Sequence, residues 1–528
     1  MAALARTAWS QAQTIAPGPF APTYDSLKSQ YKAPEWFRDA KFGIWAHWSA
    51  QCVPEQGDWY ARKMYLQGDP VYDWHTKHYG HPSKFGFMEI DNLWKPDQWR
   101  PEEMMGLYQA AGAKYFFALA NHHDNFDNYD STYHPWNSTA IGPKRDIVGT
   151  WAKIAREHGM KFGVSNHSSH AWHWFQVAYG YDAVGPLANV RYDAATLTKA
   201  DGKGKWWDGL DPQKLYAGRT DLAMPDGVNT IEAQNAWHKT HDGTWHEEDP
   251  PQNPGFAELW YLRCKDLFDK YQPDIVYFDD TELPLGKWGL SATAHLYNSS
   301  IARHGSQQAV VVANKPTPQS KGAFTLTIER SRSTEILADP WQTATCIGEW
   351  HYKRSLFEQH KYKTADTVIP LLIDVISKNG NLLLSVPVRG NGELDEDEHA
   401  FLAQLASWVP KHGEAIYGTR PFAVFGEGPP EPIEQNFSEK TRPHTAEDIH
   451  FTTRGNMLYA FVLAWPTDGK VRVKTLRRGG EHTPRTIHRV ELIGASTPLK
   501  YVQTADALEV TMPPDKPHPY AYVLKITT

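Results

Sequence analysis

Cysteine is scarce in these 528 residues: Cys52, Cys264 and Cys346 are the only three, and no two of them form a CxxC pair. That excludes a disulfide framework and a cysteine-ligated zinc site. No apolar run reaches the roughly 18 residues that mark a membrane span. Excess positive charge is missing as well. Lys and Arg number 54 against 61 Asp and Glu, a net charge of −7, so there is no basic footprint for nucleic acid. The opening stretch through Ala3-Leu4-Ala5-Arg6-Thr7-Ala8-Trp9 has no apolar h-region, so it does not read as an intact signal peptide. A mature exported protein begins the same way. A secreted or periplasmic location is therefore the expectation, with the compartment left open.

Aromatic residues are abundant: 22 Trp, 25 Tyr and 21 Phe, 13% of the chain. Surplus aromatic faces serve either to stack on sugar rings or to fill a large core, and composition does not separate the two. With 41% hydrophobic residues there is material for a sizeable core, and the length exceeds what one core usually supports, so two domains are expected.

Residues 1–34 read as an extended, proline-containing lead-in. From 35 to 418 short apolar runs alternate with amphipathic stretches. The strands are read at 41–49, 115–120, 161–166, 274–278, 309–313, 324–328 and 382–386; helices are read at 101–113, 147–155, 256–268, 291–305, 364–378 and 395–409. Polar or ionisable residues stand just past the carboxyl end of each strand, as in a (β/α) barrel of α/β class, though the clear strands fall short of eight. Residues 176–255 are polar and glycine-rich, and read as a long insertion over the active face, with Trp206, Trp207, Trp237 and Trp245 available to it. From 419 to 528 short strand-like runs between Gly, Pro and Asp predict a C-terminal β-sandwich.

The strand around which the chain is organised is Asp274-Ile275-Val276-Tyr277-Phe278-Asp279-Asp280-Thr281-Glu282, a buried run that delivers acids to a barrel rim. Ile275, Tyr277 and Asp279 share one face; Val276, Phe278 and Asp280 share the other, and which face looks inward stays open. Carboxylates on opposed strand ends can act as nucleophile and general acid at a glycosidic bond. The histidines at other strand ends, His47, His122, His123, His167, His170 and His173, suit hydroxyl binding. A histidine-carboxylate metal site is the rival use, but adjacent His122 and His123 on a strand would point oppositely, and no metal is expected.

The ordered set Lys41-Phe42-Gly43-Ile44 with His47-Trp48, Trp59-Tyr60 with Met64-Tyr65, Gly112-Ala113-Lys114-Tyr115 followed by His122-His123-Asp124, Tyr277-Phe278-Asp279, and Lys378-Asn379-Gly380-Asn381-Leu382 resembles the family 29 glycoside hydrolases, the α-L-fucosidases. The resemblance covers about 35 to 420. It implies a retaining exo-hydrolase acting on fucosylated oligosaccharides or glycoconjugates without a cofactor, with a barrel-like catalytic domain and a C-terminal β-domain. It assigns the nucleophile to Asp279, where the family often has Gly next and this chain has Asp280. It matches His47, His122 and His123 to fucose-binding histidines, Asp58 (commonly Glu) and Trp59 to the Glu-Trp-Tyr segment, and Arg330 to a sugar-contacting arginine.

Many members carry the acid/base in a Trp-Glu segment that here reads Trp341-Gln342, so the role must move. Glu329 is the first choice and Glu335 the second. Trp45, Trp48 or Trp59 could wall the sugar's C5 methyl group. The alternatives are a metal-dependent barrel hydrolase and a non-catalytic sugar-binding protein, the latter favoured by the missing Trp-Glu acid.

Overall fold

Parallel pairing links eight strands into a closed barrel: β1 Phe42–Ala46, β2 Tyr115–Asn121, β3 Lys161–Asn166, β4 Ile275–Phe278, β5 Val310–Asn314, β6 Thr325–Glu329, β7 Trp341–Cys346 and β8 Gly380–Ser385. The structure, a computed structural model, describes residues 14–314, 316–430, 439, 441–483, 486–496 and 499–528. The opening stretch read above for a signal peptide lies mostly outside them. Strand order follows chain order, and β8 closes the ring on β1 with Phe42 opposite Leu382.

The barrel interior is filled by alternate residues: Trp45, Tyr115, Phe117, Ile275, Tyr277, Val310, Val312, Ala344 and Leu383 form one buried cluster. Two inward glycines make room for the large rings. A Cβ on Gly43 would lie 2.2 Å from the Tyr115 ring, and one on Gly163 would lie 2.9 Å from Phe117. The helices Pro101–Ala110, Ile147–Glu157, Pro254–Tyr271, Lys287–His304, Ala365–Ser377 and Glu396–Trp408 cover the outside. Ile147–Glu157 turns Val148, Trp151 and Ala155 inward, as its apolar stripe predicts. Glu396–Trp408 starts at a reciprocal cap between Asp395 and Glu398.

The eighth strand, not read from the sequence, is β7. Its Gln and two Thr break the apolar pattern, yet each makes a hydrogen bond within the fold. The Tyr115 hydroxyl donates to Gln342 Oε1 at 3.0 Å, Thr343 donates to the Ile328 carbonyl at 2.9 Å, and the Thr345 hydroxyl donates to Glu439. The lead-in is less extended than expected, since Tyr24–Gln30 is helical behind a Thr23 cap. Residues 176–255 hold short helices, Ile231–Thr240 the longest, tied by buried polar contacts such as Tyr65 to Asp193 and Arg62 to Asp242.

The C-terminal part pairs antiparallel throughout. β9 Arg420–Glu427, β10 Ile449–Arg454, β11 Met457–Val462, β13 Arg489–Leu492 and β16 Tyr522–Thr527 make a sheet of order β13-β16-β11-β10-β9. It faces a second sheet, β12-β15-β14, of Lys470–Val473, Leu508–Thr511 and Lys500–Gln503. Leu458, Ala460, Val462, Leu524 and Ile526 face the small sheet, whereas Tyr459, Phe461, Ala521 and Val523 join the main core beside the barrel helices. No helix among the described residues is long and apolar enough to cross a membrane.

Candidate active site

The parity left open in the organising strand is decided by packing. Ile275 and Tyr277 lie in the interior cluster, so Asp279, two residues on, projects toward the barrel axis and Asp280 projects outward. The same step applies on β6. Thr327 touches Tyr277, and Glu329 follows it by two residues, opposite Ala344 of the interior cluster. Both carboxyls therefore reach the mouth at the carboxyl ends of their strands.

Asp279 is one-fifth exposed, with Oδ2 3.1 Å from His167 Nδ1 and 3.4 Å from His123 Nε2. His123 is oriented from behind, its Nδ1–H donating to the His167 carbonyl at 2.8 Å. Burial alone would raise the Asp279 carboxyl, but His167 and then His123 outweigh it and hold it well below the usual carboxylate range. Glu329 goes the other way. Burial first, then the Asp279 charge, push it up to about 8, while the Trp350 indole favours its ionised form. Two carboxyls with pKa values pushed apart are what an acid and a nucleophile on one site need.

Four more imidazoles or their supports complete the mouth. His47 lies tilted against Trp350 at 4.9 Å and His122 stacks on His167 at 4.7 Å; both are buried and held well below the usual imidazole range, chiefly by that burial. Gln51 fixes His122 Nδ1 at 3.1 Å and donates to Asp124 at 2.8 Å. His122 and His123 do not diverge as neighbours on a strand would. β2 ends at Asn121, the chain turns, and both rings face the mouth 4.3 Å apart.

Asp58 is in the site but is occupied: its carboxylate accepts the N–H groups of His351 at 2.7 Å and Trp350 at 3.1 Å, fixing the turn after β7. Trp59 stands half-exposed beside His123. Arg330 lies 5.3 Å above the Trp350 ring and donates to the Gly348 carbonyl at 3.0 Å.

Three expected residues are elsewhere. Glu335 is exposed on the descending β6–β7 loop, two residues before Leu337, whose N–H donates to the Lys378 carbonyl at the opposite end of the barrel. Trp48 packs on Trp94 and Trp99 in the outer layer, and Trp45 lies in the interior beneath His47, so of the three tryptophans only Trp59 is exposed. Sequence reading also missed His351, buried 4.7 Å from His122 and 3.4 Å from Asp58, because a single histidine in a loop carries no pattern.

Behind the site, Asp280 accepts from Ser169 at 3.2 Å and lies 2.8 Å from His170. It also meets Glu247, which burial and then the Asp280 charge raise to about 7. Among the described residues, three groups place ligand atoms close enough to share a cation: His47 with His122 and His167; His123 with His167 and Asp279; and His170 with Glu247 and Asp280.

The sequence model of the family described as Alpha-L-fucosidase matches residues 7–414, and that of the Alpha-L-fucosidase C-terminal domain matches residues 442–527. The tissue alpha-L-fucosidase of Rattus norvegicus is 26% identical over 535 residues, covering 98% of this chain and 95% of its own. The alpha-L-fucosidase of Branchiostoma floridae is 25% identical over 508 residues, 94% and 92% of the two chains. Among solved structures, the Thermotoga maritima alpha-fucosidase in complex with fucose shares the fold with a TM-score of 0.68 at 23% identity, over 96% of this chain and 100% of that one.

Proposed function

The chain belongs to the α-L-fucosidase family and is a fucosyl-hydrolysing glycosidase, and from that premise we propose which of its residues do the work. Asp279 attacks the anomeric carbon of a terminal α-L-fucosyl group while protonated Glu329 gives its proton to the departing glycosidic oxygen. The product is a fucosyl ester of Asp279 and a free alcohol. Glu329, now a carboxylate, takes a proton from water as that water attacks the anomeric carbon and frees Asp279, with net retention.

What carries this reading is one observation: Asp279 and Glu329 come from the inward faces of β4 and β6 and are driven in opposite directions, one ionised and one protonated at neutral pH. His123 and His167 hold the nucleophile. His47 and His122, kept neutral by burial, offer ring nitrogens to sugar hydroxyls, His122 through Nε2 because Gln51 holds its Nδ1. A glutamine at 342 does not argue for a binding-only protein on this scheme, because Glu329 on the adjacent strand supplies the proton. The substrates are fucosylated oligosaccharides or glycoconjugates.

Hydrolysis of an aryl α-L-fucoside by the wild type, Asp279→Ala, Glu329→Ala and Glu335→Ala, with and without azide, tests the assignment. Asp279→Ala is expected to lose roughly 10³-fold or more in kcat, and Glu329→Ala about 10²-fold with rescue by azide. Glu335→Ala is expected to behave as wild type. Rescue of Glu335→Ala, or an active Asp279→Ala, overturns it.

A further inference from the structure

Among the described residues twelve tryptophans are buried, and the exposed ones are placed unevenly. The half-exposed ones are Trp59 at 40%, Trp206 at 38% and Trp245 at 38%. Trp206 is spent on Glu89, to which its indole N–H donates at 2.9 Å. Trp59 and Trp245 both stand edge-on to His123, the imidazole that touches Asp279, at 6.4 Å and 5.4 Å. Two half-exposed indoles beside the nucleophile's partner leave apolar surface in water at the mouth.

Neither is there by slack. Trp59 holds a left-handed backbone, φ 64° and ψ 29°, which a bulky side chain adopts only when its surroundings impose it. Trp245 lies on His170 with ring centres 3.8 Å apart, so one face is supported from below. Its loop is fastened at three points, one on the segment after β3 and two just past β4. His170 Nδ1 is 3.0 Å from the His246 carbonyl, Glu247 accepts from the Thr281 N–H at 3.1 Å, and it accepts from the Thr281 hydroxyl at 2.8 Å. His170 Nε2 in turn is 3.2 Å from the Asp279 carbonyl. The platform is thus indexed to the nucleophile's own backbone although it belongs to the insertion, about 35 residues earlier in the chain.

We propose that Trp245, half-exposed beside the imidazole that touches Asp279, is the stacking platform for the sugar ring to which the fucose is bonded. A sugar ring matches an exposed indole because its C–H face packs on the ring while its hydroxyls stay in water. A rigid, pre-fixed aromatic binds it with little ordering cost. The assignment rests on the fucosidase reading and adds to it the residue that holds the group bonded to the fucose.

The test compares two substrates with the same glycon, a fucosyl disaccharide and α-L-fucosyl fluoride, whose leaving group has no ring. In Trp245→Ala the ratio of kcat/KM on the disaccharide to kcat/KM on the fluoride is expected to fall roughly ten-fold, with Trp245→Phe restoring most of it. An unchanged ratio overturns the platform: equal losses on both substrates mean that Trp245 only packs on His170, and no loss means that it touches nothing. Wild type that releases neither fluoride nor fucose brings down the fucosidase reading itself, and the platform with it.

Discussion

At the scale of single residues, Glu329 determines how the protein should respond to pH. Its carboxyl sits at about 8, raised by burial and by Asp279, so it is protonated at neutral pH and gives its proton up as pH rises past that value. Activity that needs the proton is therefore full below the limb and lost above it. On a fucoside with a poor leaving group, kcat/KM should fall on a limb near pH 8, and Glu329→Gln should abolish the limb while slowing that substrate about 10²–10³-fold. A limb that survives Glu329→Gln assigns it to another group.

Asp279 and Glu329 were legible as acids closing apolar runs. Their inward direction was not, because a strand has two faces and only the ring packing of Trp45, Phe117 and Tyr277 says which is the interior. His351 and the occupied state of Asp58 depend on a turn after β7 that meets β1's loop some 290 residues away in sequence, a contact no local pattern carries.

At the scale of elements, the end of β4 separates two acids by parity alone. Asp279 enters the mouth; Asp280 turns out to Ser169, His170 and Glu247. Asn in place of Asp at 279 should abolish turnover by roughly 10³-fold, since the amide cannot form the glycosyl ester. At 280 the amide still fills the same volume and still accepts from Ser169, so Asp280→Asn should cost less than about ten-fold. Initial rates of fucose release by the two variants decide it, and equal losses would mean that Asp280 shares the chemistry.

The elements themselves were read best where one period dominates. β2 is buried end to end and β3 from Phe162 on, and the helix Ile147–Glu157 keeps its stripe. β7 escaped because its inward Gln342 pairs with Tyr115 instead of packing as a hydrocarbon, β9 and β14 because half-polar edge runs resemble loops, and β10 because its His and Thr residues interrupt the apolar pattern of a buried strand.

At the scale of the whole molecule, the central strands β11 and β16 of the larger C-terminal sheet are covered on both faces, and this ties the sheet's stability to the barrel. Along β11 and β16, one parity packs on the small sheet, and the other, Tyr459, Phe461 and Val523, enters the core that holds Trp408, Val409 and Ile416. The Trp408 indole N–H donates to the Ala521 carbonyl at 2.8 Å, and Lys525 pairs with Glu414 at 2.7 Å. An independent domain would instead show a polar face toward its neighbour.

Because one face of the sheet lies in the core of the barrel helices, loss of the sheet exposes those helices, so the two parts should unfold together. Calorimetry should show one transition for the wild type. Phe461→Ala, which empties a fully buried aromatic site at the junction, should weaken the fold by about 3–5 kcal/mol and move that single transition down as a whole. Two transitions in which only one moves would show that the cores are separate, and that the shared packing does not couple them.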